Sequence, residues 1–148
     1  MFDLTTLKNE RKLVKKSLDK IYRMIESGES NVLLTDVYFQ LNKLNEDIKS
    51  CKKVKTEDIR KQSSEIVYNL CQLGHVYWNN KRLNKTIQCC IDDITIIKNI
   101  ALKAYLNDKI YKIKYNKSFM DLFLFYFYKI SILLICLSYN IIKIIKRI

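Results

Sequence analysis

Apolar residues recur along most of this chain at helical spacing. Val14, Leu18, Ile21 and Ile25 follow one another at steps of four, three and four, which sets them on one face of a helix, with Leu7 joining it. Thr5 or Thr6 offers a hydroxyl able to cap its start. The run Ser27-Gly28-Glu29-Ser30-Asn31 then ends the helix, because Gly28 accepts the left-handed conformation that follows a helix C-terminus and its neighbours favour turns. A second stripe, Leu34, Tyr38, Leu41, Leu44 and Ile48, runs out in the connector Lys52-Lys53-Val54-Lys55. A third opens with Thr56 as cap, with Glu57 and Asp58 in the first turn, where carboxylates suit the positive end of the helix dipole. It carries Ile59, Ser63, Ile66, Leu70, Leu73 and Tyr77 and stops at Asn79-Asn80. A fourth carries Leu83, Ile87, Cys90, Ile94, Ile97 and Ala101 and frays by Asn107-Asp108.

The pattern then changes. Leu122 to Ile142 is a run of 21 residues with one charge, Lys129, and such a helix is about 31 Å long, enough to cross a bilayer core. Placing Lys129 in hydrocarbon costs about 2.5 to 3.5 kcal/mol, while the Leu, Ile and Phe side chains return roughly 0.3 to 0.6 each, so insertion is favoured. Short polar breaks between stripes of 3.5-residue period predict an antiparallel helical bundle. An extended coiled coil needs longer unbroken heptads than these. The expected architecture is all-α: a bundle of about four amphipathic helices over residues 1–107, then a basic juxtamembrane segment and a hydrophobic, membrane-crossing helix over 108–148.

Composition agrees with long helices: there is no proline and there are two glycines, Gly28 and Gly74, so the commonest punctuation of all-β folds is missing. The final 48 residues are skewed, 38 of them being Phe, Ile, Lys, Leu, Asn or Tyr, the residues that adenine- and thymine-rich codons supply. That skew fits an anchor from a biased genome, with a tail produced by reading through an intron or past a true exon end as the less favoured alternative. Charge follows the same division. Residues 1–100 hold 18 basic and 13 acidic side chains and residues 101–148 hold 9 and 2, within a net charge of +12. Anionic partners are favoured: lipid headgroups, an acidic protein or nucleic acid.

Two clusters carry that expectation. Lys8, Lys12, Lys16, Lys20 and Arg23 fall opposite the apolar face of the first helix, and Lys109, Lys112, Lys114 and Lys117 precede the apolar tail, among Tyr105, Tyr111 and Tyr115. Near an anionic leaflet each cation adds about 1 kcal/mol of attraction. A membrane, engaged through residues 119–145, is therefore the first expected partner, with an unidentified protein beside it and nucleic acid as the alternative.

Signatures of catalysis do not assemble. Phosphate-cradling loops need clustered glycines, and the two here are far apart. The one histidine, His75, has no patterned Ser, Cys or Asp partner. Cys71, His75, Cys89 and Cys90 lack the two-residue gap of paired zinc ligands, so these thiols read as small apolar side chains. Asp92 and Asp93 point to different helix faces. No catalytic, cofactor-binding or metal-binding residue is assigned, and the chain reads as non-enzymatic. Its N-terminus becomes charged by the third residue, unlike a secretory signal, which places the N-terminal part in the cytosol, leaves the five cysteines reduced, and leaves the sequons at Asn84 and Asn116 unused.

Two partial likenesses remain. Leu73-Gly74-His75-Val76-Tyr77, continuing to Leu83, Ile87 and Cys90, resembles the spine of a tetratricopeptide repeat, with Thr86 and Asp93 in its small-residue places and no second copy to bury its face. Residues 11–87, through Leu18, Ile21, the Gly28 turn, Leu41, Leu44, Glu57-Asp58-Ile59 and Trp78 followed by Lys81-Arg82-Leu83, are similar in helix order to the C-terminal helical domain shared by the COPII outer-coat protein and steroid receptor RNA activator protein. That resemblance implies an interaction domain in vesicle-coat assembly.

Overall fold

The computed structural model describes residues 4–50, 56–113 and 119–145, with the side chains of residues 4, 108, 111–113, 119–122 and 139–145 outside that description. Five helices make up the described chain: α1 (Leu4–Glu26), α2 (Val32–Lys49), α3 (Thr56–Val76), α4 (Lys81–Ile113) and α5 (Phe119–Ile145). The all-α expectation holds.

Local chemistry sets most of the helix ends. Gly28 adopts φ +92°, and around it Gly28 N–H donates to Ile25 O at 3.1 Å and Glu29 N–H to Met24 O at 3.3 Å, the paired bonds of a Schellman stop. Asn31 caps α2 by accepting from the Leu33 N–H at 2.8 Å, and Asn80 does the same for Leu83 at the head of α4, at 3.2 Å. Three expectations shift. α1 already runs at Leu4, so Thr5 and Thr6 lie inside it rather than capping it. α3 stops at Val76, three residues short of Asn79, and Asn80 serves the next helix. α4 does not fray at Asn107-Asp108 but continues to Ile113, because two polar residues with no glycine or proline do not break a helix. The connector 52–55 and the segment 114–118 lie outside the described residues.

Helices α1 to α4 close a ring in which each packs on the next and α4 returns to α1. Cross-helix bonds fix the antiparallel order: Arg11 Nε donates to Asn45 Oδ1 at 2.9 Å, Gln62 Nε2 to Asp47 Oδ2 at 2.8 Å, and the Arg60 guanidinium sits 5.8 Å from the centre of the Tyr105 ring. Inside the ring lie Val14, Ile21, Leu34, Leu41, Leu44, Ile48, Ile59, Ile66, Leu70, Leu73, Ile87, Ile94 and Ile97, all buried. The one small polar residue of the α3 stripe, Ser63, is buried too and bonds back to Ile59 O at 2.7 Å, so no polar group is lost to the core there.

Among the described residues α5 stands apart from the ring and packs on α4 alone. Lys103 Nζ lies 2.9 Å from Cys136 Sγ, which fixes the register of the pair. Asp93, Ile96, Ile100 and Lys103 recur at steps of three, four and three and so share one strip of α4, distinct from the core stripe Ile94, Ile97 and Ala101. Ile96 and Ile100 on that strip are buried in the same apolar cluster as the ring residues.

Candidate functional site

α5 is apolar on both of its sides. Its half-buried side chains are Leu124, Phe125, Tyr128, Ser131, Ile132, Ile135, Cys136 and Ser138, while Phe123, Tyr126, Phe127, Ile130, Leu133, Leu134 and Leu137 face outward with 52 to 68 % of their surface exposed. None of its described side chains is fully buried. A helix laid on a protein in water turns its apolar stripe inward. Here the strongest hydrophobes form a continuous outer ridge of the kind that marks an interaction surface. The only charge among the described side chains of α5 is Lys129, exposed and 4.5 Å from the centre of the Phe125 ring, which lets its stem lie along the ridge while its ammonium reaches water. Among the described residues no helix is long and apolar enough to cross a membrane; the described side chains of α5 run from residue 123 to 138.

The basic stripe of α1 is present with one member removed. Lys8, Lys12, Lys16 and Arg23 are exposed on the outer side of α1, and Lys15 joins them. Lys20 does not. Its ammonium lies 3.6 Å from Asp93 Oδ2, with the two side chains 25 % and 3 % exposed, so it is held in the α1–α4 seam. Burial of a carboxylate needs such a partner. In the juxtamembrane cluster, Lys109 stands over the Tyr105 ring at 5.4 Å, and the side chains of Lys112, Lys114 and Lys117 lie outside the described residues.

The residues with reactive side chains do not converge. His75 and Cys71 are exposed one turn apart on α3, Cys89 is half-buried and Cys90 is buried on α4, and Cys51 lies outside the described residues. Of the thiols expected to act as buried apolar groups, Cys71 is the exception. Burial pushes the Cys90 thiol up to about 11, which suppresses the thiolate that nucleophilic or metal chemistry requires. Among the described residues, no three His, Cys, Asp or Glu side chains stand together as a metal-binding group. What the surface can do is adhere: an apolar ridge on α5, cations on α1, and the exposed Val32, Phe39, Tyr68 and Trp78 around the ring.

Sequence reasoning missed the Lys20–Asp93 pair because its members are 73 residues apart, with no local pattern to link them. It also missed that α4 carries α5 as well as its two ring neighbours. No protein-family model matches the chain, and no curated protein or solved structure is significantly similar to it.

Proposed function

We propose that this chain is a helical protein–protein interaction module, held at a membrane through residues 119–145 and without chemistry of its own. One observation carries the reading. α5 leaves seven large hydrophobic side chains exposed to its surroundings, and a water-facing helix gains nothing from that arrangement. Lipid or an apolar partner does. The exposed cations of α1 add an attraction for anionic surfaces. The ring α1–α4, with its exposed Val32, Phe39, Tyr68 and Trp78, is then the part left to bind a protein partner. The helix-order likeness over residues 11–87 suggests a coat-type assembly as the setting.

The rival from another class is a basic helical nucleic-acid-binding protein, which uses the α1 stripe and leaves the α5 ridge uncovered. Flotation of the expressed protein with liposomes separates the two. Co-flotation in the absence of nucleic acid supports the membrane reading. Protein that stays in the dense fraction with every lipid, yet binds RNA or DNA with a steep salt dependence, overturns it.

A further inference from the structure

The α4–α5 seam sets an amine against a thiol. From α4, Lys103 Nζ donates to Cys136 Sγ on α5 at 2.9 Å, and both side chains are half-buried. Among the described residues no other thiol has an amine in such contact. The buried Cys90 meets Ser17 O instead, at 3.9 Å, and burial pushes its thiol up to about 11, which leaves it unreactive.

A thiol and an amine held this close share a reaction that neither has alone. Hydrogen peroxide oxidises a thiolate to a sulfenic acid: the sulfur takes up one peroxide oxygen and the other leaves as water. A sulfenic acid then condenses with a nucleophile beside it, giving a disulfide with a thiol and a sulfenamide with nitrogen. For Cys136 the nucleophile in place is the Lys103 amine. In its neutral form the amine attacks the sulfenic sulfur, the S–N bond forms, the S–O bond breaks, and the hydroxyl departs as water with a proton from the nitrogen. Thiol, amine and one hydrogen peroxide thus become a sulfenamide and two waters. The long, flexible lysine stem lets Nζ follow the sulfur over the remaining distance. Half-burial admits a molecule as small as peroxide and hinders bulkier thiols that would otherwise intercept the sulfenic acid.

We propose that Lys103 and Cys136 form a peroxide-responsive cross-linking pair, in which oxidation joins Nζ to Sγ and pins α5 to α4. Among the described residues α5 packs on α4 alone, so the bond turns a helix held by side-chain packing into one that cannot leave. It closes a loop between positions 33 residues apart. A dithiol reopens it: one thiol takes the sulfur and returns the amine, and the second closes a disulfide within the reagent and restores the Cys136 thiol.

The test treats the full chain with hydrogen peroxide at mildly alkaline pH, blocks the remaining thiols, digests with trypsin and reads the products by mass spectrometry. Expected is a linked species joining residues 99–109 to residues 130–143, uncut at Lys103, lighter than the sum of its peptides by two hydrogen atoms, and separated by dithiothreitol. Lys103→Arg keeps the cation without a nucleophilic amine. That variant should match the parent in circular dichroism, lose the link, and show several-fold more dimedone labelling of Cys136, whose sulfenic acid then meets no amine. Peroxide added in guanidinium chloride should give about tenfold less of the linked species, because unfolding dissolves the contact. Oxidation of Cys136 to sulfenic or sulfinic acid in the folded parent, with Lys103 still open to trypsin, overturns the proposal. Equal yield in guanidinium chloride, or linkage of Cys136 to other lysines as often as to Lys103, overturns it too. A linked species heavier by a retained oxygen rules out displacement at sulfur and overturns the reaction as written.

Discussion

Lys16 and Lys20 are one turn apart on the same helix, and replacing each with methionine should give opposite results. Lys20 holds Asp93, whose side chain is 3 % exposed, at 3.6 Å; Lys16 is exposed on the outer side of α1. Lys20→Met keeps the packed stem and withdraws the ammonium from a carboxylate in the α1–α4 seam. Breaking a buried pair costs about 3 to 5 kcal/mol, and since Lys20 retains a quarter of its exposure, solvent weakens the pair and about 2 to 3 is the expected loss. For a chain of 148 residues that lowers Tm by roughly 5 to 10 °C, measured by circular dichroism melting. Asp93→Asn should cost less, about 1 kcal/mol, because the Lys20 ammonium can turn to water and the amide preserves the shape. Lys16→Met should leave Tm nearly unchanged, within about 0.5 kcal/mol, and weaken flotation with anionic vesicles about fivefold, an effect absent from Lys20→Met. Equal melting of the two lysine variants, or a larger loss in Asp93→Asn than in Lys20→Met, refutes the assignment of Lys20 to structure and Lys16 to surface contact.

Three further outcomes are expected. Gly28→Ala should destabilise by about 1 to 2 kcal/mol, from its φ of +92° alone since open space surrounds the site, whereas Gly74→Ala should be neutral or gain up to about 1 kcal/mol, its new methyl meeting Asn84 and Ile87 at 3.8 Å; paired urea melts decide. At mildly alkaline pH, Cys71 should react with a maleimide at once and Cys90 only on unfolding. Folding keeps the Cys90 thiol protonated to about 11 against an ordinary 9.0, so the stability it contributes is complete below pH 9 and lost as pH rises from 9 to 11, a decline that Cys90→Ala should flatten. Leu70→Ala, at a fully buried core position, should cost about 2 to 5 kcal/mol in the same melts.

Where one helix meets one neighbour, spacing in the sequence was enough. The stripes of α2 and α3 appear in the core almost residue for residue, apart from half-buried Tyr38 and Tyr77 at the edges and Val37, which widens the α2 face. On α1, Val14 and Ile21 are central while Leu18 and Ile25 flank them, since Ser17 and Met24 take the side facing α4. α4 was only half legible. It packs on α1, α3 and α5, its apolar residues surround much of the helix, and a single stripe cannot describe it. The basic surface was legible as composition but not as contacts, because whether a lysine is free or paired depends on a carboxylate that only the fold brings near. The hydrophobic tail was visible as a run of greasy residues; which seven of them stay exposed required the packed helix.

The balance between a spanning and a surface-lying α5 turns on what each state leaves uncovered. Ser131 donates to Phe127 O at 2.9 Å and Ser138 to Ile135 O at 2.8 Å, so the inner side of α5 asks for no polar partner on α4, and lipid would tolerate it. The cost of separation falls on α4. Leaving α4 gives up the packing of the two helices, including the contact of Lys103 with Cys136. Drawing Lys129 to the bilayer centre adds about 2.5 to 3.5 kcal/mol. Against these, spanning buries only the inner side of α5, half-covered already, where Leu124, Phe125, Ile132 and Ile135 stand with Tyr128 and two serines. Lying in the surface sinks the whole outer ridge, keeps α5 packed on α4, and lets Lys129 extend to the phosphates. Detachment from α4 is thus the more costly way for α5 to meet lipid.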